Sequence, residues 1–364
     1  MMQDRAIKGK VLRFAVAKRW FPQVEVDVIP TVSTSATSDK PITDIDVMAL
    51  VPDPFVGFRK VLVDCKTKKS ESPIARTLWL SGLMGRVGAV QGVCILKRAR
   101  VEPDHRFYAA QYGVLLLTDD EFDEYAQAMG APRSTPTGFV GDIEFWEMLF
   151  EIASRYRNLA PAVEFIRRGY WQSTDSAEAC RRTIVQLTKI AGEVDPSIPS
   201  HHALFGSAVA LFLHALTGVV NTIFAGYLRP ETKDQLSAAL LLIFFGGREA
   251  YLYKNTIAKL FHEQQNPGRK PPDLAPPNWD GFLQLVRHCL DAPSAVAHGP
   301  LLVLETGFAQ LRRTDADSHH DEFASMLSKT EPHAAKFGIL AGEYLQRAAG
   351  LPKEFSHTLT SHLI

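Results

Sequence analysis

The sequence predicts an α/β N-terminal domain, a central mixed sheet flanked by helices, followed by an all-α C-terminal domain. Three observations carry this reading. Short apolar or alternating runs of strand length are interleaved with helical repeats over the first 130 residues. A Pro/Ser/Thr-rich segment, APRSTPTG at 131–138, interrupts them. Beyond it alternation almost vanishes and runs with a 3.6-residue repeat follow one another.

The elements are read in order. Residues 6–21 place Val11, Leu12, Phe14, Ala15 and Trp20 close to a helical repeat. QVEVDVIP sets Val24, Val26 and Val28 against Glu25 and Asp27, the period of a half-buried strand. TVSTSATSDKP is a polar loop, IDVMALV a second strand, DPFVGF a turn and KVLVDCK a third strand. Leu78, Leu80, Leu83, Met84 and Val87 suit a helix over 73–90; GVCILK and the end of AAQYGVLLLT are strands. DDEFDEYAQAMG has acids at a helix N-terminus and Gly130 after its C-terminus. The divisions expected are therefore 1–130, a linker at 131–138, and a helical domain at 139–364 for sensing, partner binding or self-association. Its helical runs fall at about 142–158, 160–171, 175–192, 203–228, 231–263, 279–290, 321–328 and 331–348.

With 364 residues and 46% hydrophobic content the chain can bury two cores, and its composition excludes a disordered or fibrous class. Cys65, Cys94, Cys180 and Cys289 stand far apart, which argues against a disulfide framework or structural zinc and favours a reducing, cytoplasmic setting. The N-terminus shows no secretory pattern. Net charge is zero, yet residues 1–106 hold 18 Lys+Arg against 11 Asp+Glu, a balance that suits a phosphate-bearing partner. Residues 203–228 contain no Asp, Glu, Lys or Arg, and 237–247 is a shorter apolar companion. Two readings stand: a core helix surrounded by neighbours, or membrane contact. His214, Asn221 and the lack of an adjoining basic cluster weigh against the second.

In VLVDCKTKK, 61–69, Asp64 and Lys66 share one strand face while Val61, Val63 and Cys65 share the other. Asp46 precedes Asp64 by eighteen residues, so antiparallel pairing across DPFVGF would bring Asp46, Asp64 and Lys66 together. Two unpaired carboxylates in a small volume raise each other's pKa. A divalent cation such as Mg²⁺ resolves that conflict, with Asp46, Asp64 and the Cys65 backbone carbonyl as ligands. Lys66 would hold or help deprotonate a water for attack on phosphorus. Lys68, Lys69, Arg76 and Arg86 are candidate phosphate contacts, with Ser70, Ser72 and Pro73 opening the helix that carries Arg76. Gln91 could orient a water or brace a turn. The plainer alternative for Asp64 and Lys66 is a strand-end salt bridge, and for the other basic residues a solvated surface.

The run D-x(17)-D-x-K, with IDVMAL followed by VLVDCKTK, resembles the PD-(D/E)XK, restriction-endonuclease-like superfamily over residues 5–125. The resemblance implies a Mg²⁺- or Mn²⁺-dependent nuclease that cuts nucleic acid, DNA by default, in restriction, repair or defence. It makes Asp46 and Asp64 metal ligands and Lys66 the catalytic lysine. One departure stands out. Members often carry a glutamate on the first helix after a glycine, whereas Gly9 is followed here by Lys10, Val11, Leu12 and Arg13. A degenerate nuclease fold that binds nucleic acid or protein is therefore the second reading, with membrane association through 203–247 or homo-oligomerisation through the helical domain as further expectations.

Weaker patterns remain. Glu231-Thr232-Lys233 repeats the tripeptide but follows Pro230 at a helix start. Arg313 and His319 have the R-x(4–6)-H spacing of HEPN-type ribonucleases within a polar stretch. His201, His202 and His214 read as a helix entrance and a core histidine, with no acid or cysteine placed to complete a metal site.

Overall fold

Residues 45–50, 61–65 and 92–96 are buried in unbroken runs, so both faces of the central strands meet protein. In the computed structural model, which describes residues 2–29, 41–55, 57–67, 72–97, 100–266, 273–312 and 321–364, helix α1 (Arg5–Ala17) leads into an antiparallel meander. Its strands are β1 (Phe21–Val28), β2 (Thr43–Asp53) and β3 (Gly57–Lys66). Gly57 closes the β2–β3 turn at φ 84°, and a Cβ there would also stand 3.0 Å from Thr217 Cγ2. The chain then crosses through α2 (Pro73–Val87) to β4 (Ala89–Leu96), and through α3 (Pro103–Gln111) to β5 (Val114–Thr118). Both crossovers give parallel neighbours, so the sheet is mixed, in the order β1-β2-β3-β4-β5. Helix α4 (Asp119–Ala128) begins at a capping box between Thr118 and Glu121.

Two local outcomes differ from the sequence reading. Helix α1 stops at Ala17 rather than 21, because Arg19 turns left-handed at φ 59° and Phe21 already belongs to β1. Helix α3 was not anticipated; only Ala109 of its nine residues is buried, so no apolar stripe marks it.

The C-terminal region is helical: α5 (Ile143–Arg155), α6 (Ala160–Glu164), a π-helical turn at Phe165–Gly169, α7 (Ser176–Lys189), α8 (Pro199–Tyr227), α9 (Lys233–Phe245), α10 (Arg248–Gln265), α11 (Trp279–Cys289), α12 (Pro293–Val296), α13 (Gly299–Ala309), α14 (Asp321–Thr330), α15 (Pro332–Ala349) and α16 (Lys353–Leu363). The run expected over 231–263 is two helices, bent by 60° where Gly246 and Gly247 take φ 87° and 116°. Helix α13 escaped the sequence reading because it is buried all round and has no polar face to set a period. Helix α16 did carry a signal, Phe355, Leu359 and Leu363 at i, i+4 and i+8.

Helix α8 is long and apolar enough to cross a membrane, but its most apolar window is 89% buried against its neighbours. It crosses α13 with backbone in contact: a Cβ on Gly206 would lie 2.8 Å from Gly307 Cα. Gly206→Val should therefore destabilise the protein by about 1–3 kcal/mol, read as a lowered urea midpoint. An unchanged midpoint would show that the crossing has room to relax.

The apolar side chains of sheet and helices form one continuous core. Arg5 pairs with Glu144 at 3.0 Å and Glu147 at 3.1 Å. Asp27 of β1 accepts from Arg168 in the π-helical turn, and Phe58 of β3 packs on His214 of α8 at 4.8 Å. At the end of segment 131–138, the buried Glu305 accepts from the N–H groups of Phe139 (2.7 Å) and Val140 (2.8 Å). The helices thus cover part of the sheet and leave the C-terminal end of β3 as the edge where Lys66 reaches solvent, at 22% side-chain exposure.

Candidate functional site

The β2–β3 ladder runs from Asp53↔Gly57 to Val47↔Val63. One residue further, Asp46 and Asp64 stand on adjacent strands on the same face of the pleat. Instead of another ladder bond, the Cys65 N–H donates to Asp46 Oδ2 at 2.7 Å. Cys65 thus enters the site through its amide. Lys66 Nζ spans the two acids, 3.2 Å from Asp46 Oδ2 and 3.2 Å from Asp64 Oδ1. The three residues read from the sequence are brought together.

Each carboxylate has further partners. Lys8, from α1, places Nζ 2.8 Å from Asp46 Oδ1 and also contacts Glu25 Oε1. Arg76 grips Asp64 with two nitrogens, Nε at 2.9 Å from Oδ2 and Nη2 on Oδ1, while its guanidinium lies 4.0 Å above the Trp79 ring. Asp64 Oδ2 also receives the Cys94 thiol at 3.6 Å. Glu25, Asp46 and Asp64 are thereby matched by Lys8, Lys66 and Arg76, one cation for each acid. The conflict between unpaired carboxylates expected from the sequence is therefore met by side chains.

The electrostatics follow from that pairing. Burial opposes ionisation of Asp46, but Lys8, Lys66 and the Cys65 N–H more than reverse it, so its pKa lies below the ordinary 3.8. Burial also opposes the Lys8 ammonium, and Asp46 and Glu25 hold it well above the ordinary lysine value. Lys66 behaves alike: burial lowers, Asp64 and Asp46 raise, and the balance is upward. Lys66 is therefore a fixed positive charge at neutral pH rather than a proton acceptor. Burial pushes the Cys65 and Cys94 thiols up, so neither is a nucleophile.

Two of these residues were missed in the sequence. Lys8 sits on the apolar stripe of α1 with Leu12 and Ala15, where a lysine is out of place, and it is 1% exposed. Glu25 lies where β1 breaks its ladder: Val24 pairs with Val47 and Val26 with Ile45, while Glu25 between them turns to φ 56°. Asp4, at the head of α1, accepts from the Thr67 N–H at 3.1 Å and from its hydroxyl. That clasp ties α1 to the end of β3 and so positions Lys8.

Glu25, Asp44 and Asp46 each bring a carboxylate oxygen within 4.8 Å of the others, forming an acidic group that could hold a metal ion. Such a group offers hard oxygen donors. Asp64 contributes instead to the Lys66 and Arg76 pairs.

The remaining expectations are distributed as follows. Arg86 is exposed at the end of α2 and donates to Ile29 O at 3.4 Å. Lys68 and Lys69 lie outside the described residues, as do Ser70, Arg313 and His319. Ser72 caps α2, accepting from the Ala75 N–H. Gln91 donates to Gly113 O at 2.7 Å and braces β4 against the turn before β5. Glu231 precedes a capping box between Thr232 and Gln235, and Lys233 pairs with Asp280 at 2.8 Å. His201 accepts from the Asp195 N–H, His202 contacts Pro196 O and His214 contacts the Tyr170 hydroxyl, so each histidine serves its own neighbourhood.

Compared with protein-family models, with curated proteins and with solved structures, the chain finds no match in any of the three.

Proposed function

We propose that the chain is a metal-dependent nuclease with a PD-(D/E)XK-like centre, acting on DNA by default. The observation that supports this most directly is the convergence of Asp46, Asp64 and Lys66, with Lys66 at 3.2 Å from both acids and open to solvent at a strand end. The order of helix, meander, crossover helix and parallel strand agrees with that resemblance, and the basic excess of the first 106 residues suits a phosphate backbone.

A bound Mg²⁺ or Mn²⁺ would neutralise charge on the scissile phosphate and acidify a water. Asp46, with Glu25 and Asp44 beside it, would hold that ion. The chain's own residues do the rest. Asp46 and Asp64 fix the Lys66 ammonium between them, and Lys66 presents a permanent positive charge where negative charge grows on the phosphate. Arg76 holds Asp64 in orientation through two hydrogen bonds, and Trp79 keeps the Arg76 fork in place.

The test uses supercoiled plasmid, linear duplex, single-stranded DNA and RNA with Mg²⁺ or Mn²⁺. Wild-type protein should cut at least one of them, leaving 5′-phosphate ends, and Asp64→Ala should reduce the rate by about 10²-fold or more. Cutting that survives Asp64→Ala would remove the assignment.

One observation favours a second reading. The three acids are already neutralised by three cations, as expected of a nuclease fold retained as a binding module. Binding to nucleic acid with no cleavage under any divalent ion, in wild type and in variants that lack the Lys8 ammonium, would select it.

A further inference from the structure

The Lys8 side chain is 1% exposed, and its ammonium touches two members of the acidic group, Glu25 Oε1 and Asp46 Oδ1, the latter at 2.8 Å. A lysine is rarely buried to this degree unless paired, and here the pairing places one fixed positive charge among oxygens that a divalent ion would need. It projects from α1, which is held by the Asp4–Thr67 clasp. The other cations of the site approach differently: Lys66 reaches Asp46 through Oδ2, and Arg76 grips Asp64. An ion entering the group with Lys8 in place would meet that ammonium directly, and like charges at such separation repel strongly where water is excluded.

We propose that Lys8 is a tethered counter-cation that competes with the divalent ion for Glu25 and Asp46, so that the resting protein binds metal weakly and loads it only when the Lys8 ammonium withdraws. This rests on the reading of Glu25, Asp44 and Asp46 as the metal-holding group, and it adds the element that governs occupancy.

The experiment measures Mn²⁺ binding by the full chain, without nucleic acid, by calorimetry and by the loss of the free-ion paramagnetic resonance signal. Lys8→Met keeps the length of the side chain and removes its charge. It should bind Mn²⁺ at least about tenfold more tightly than wild type, equivalent to about 1.4 kcal/mol, while Lys8→Arg should stay at the wild-type level. Lys8→Met/Asp46→Asn should lose the gain. Equal affinity in wild type and Lys8→Met would overturn the competition and leave the metal group standing. Absence of saturable binding in every variant would overturn both. Should Lys8→Met fail to fold alone, refolding is titrated with Mn²⁺: recovery that depends on Asp46 supports the proposal, and failure to recover at saturating Mn²⁺ overturns it.

Discussion

Asp46→Ala should destabilise the protein by about 3–5 kcal/mol, because it leaves the buried Lys8 ammonium with Glu25 alone and the Cys65 N–H without its acceptor. Chemical denaturation at neutral pH measures the loss, and a change below about 1 kcal/mol would show that Lys8 finds water or Glu25 sufficient. The same residue should govern the pH profile. The folded pKa of Asp46 is depressed below 3.8, so its contribution is complete above that value and is lost as pH falls through the lower folded value. Lys8 runs the other way: its folded pKa is raised above 10.5, so its contribution is complete below 10.5 and is lost as pH rises through the folded value. Stability should hold a plateau between these limits in wild type. Asp46→Asn should flatten both limbs, because the carboxylate that depresses one pKa also raises the other. Limbs unchanged in Asp46→Asn would assign them to other groups.

On the proposed nuclease reading, Lys66→Met should reduce cleavage by about 10²–10³-fold with a far smaller effect on stability. The asymmetry follows from position. Lys66 is partly exposed, and its two acids keep Lys8 and Arg76 when it is removed. Lys8 is enclosed, so its removal takes from Asp46 and Glu25 a partner at a place water does not fill. The loss should appear in kcat rather than KM, since a fixed charge beside the reacting phosphate acts mainly on the transition state. Unchanged kcat with a raised KM would reduce Lys66 to a phosphate contact, and a collapse of the folded state would make it structural.

The sheet and the first three site residues were legible because they depend on short-range rules. Alternation fixes which side chains share a face, and a connection of only eight residues between IDVMALV and KVLVDCK leaves antiparallel pairing as the ready way to bring Asp46 beside Asp64. The α8 segment was legible as apolar on every side, but whether lipid or protein surrounds such a helix depends on its neighbours; here they bury it. Helices α3 and α13 were illegible for opposite reasons, one having almost no buried face and the other no exposed one.

What the amino-acid order determined alone is the placement of Asp46, Asp64 and Lys66 on two adjoining strands, since pleat and connection length are local properties. What only the tertiary structure decided is the company those residues keep. Lys8 comes from a helix 38 residues before Asp46, Arg76 from a helix after it, and Glu25 from a strand whose ladder is broken at that residue. Charge neutrality inside a fold is settled by whichever oppositely charged groups packing brings within a few ångströms, and that choice is made by helix docking rather than by spacing along the chain.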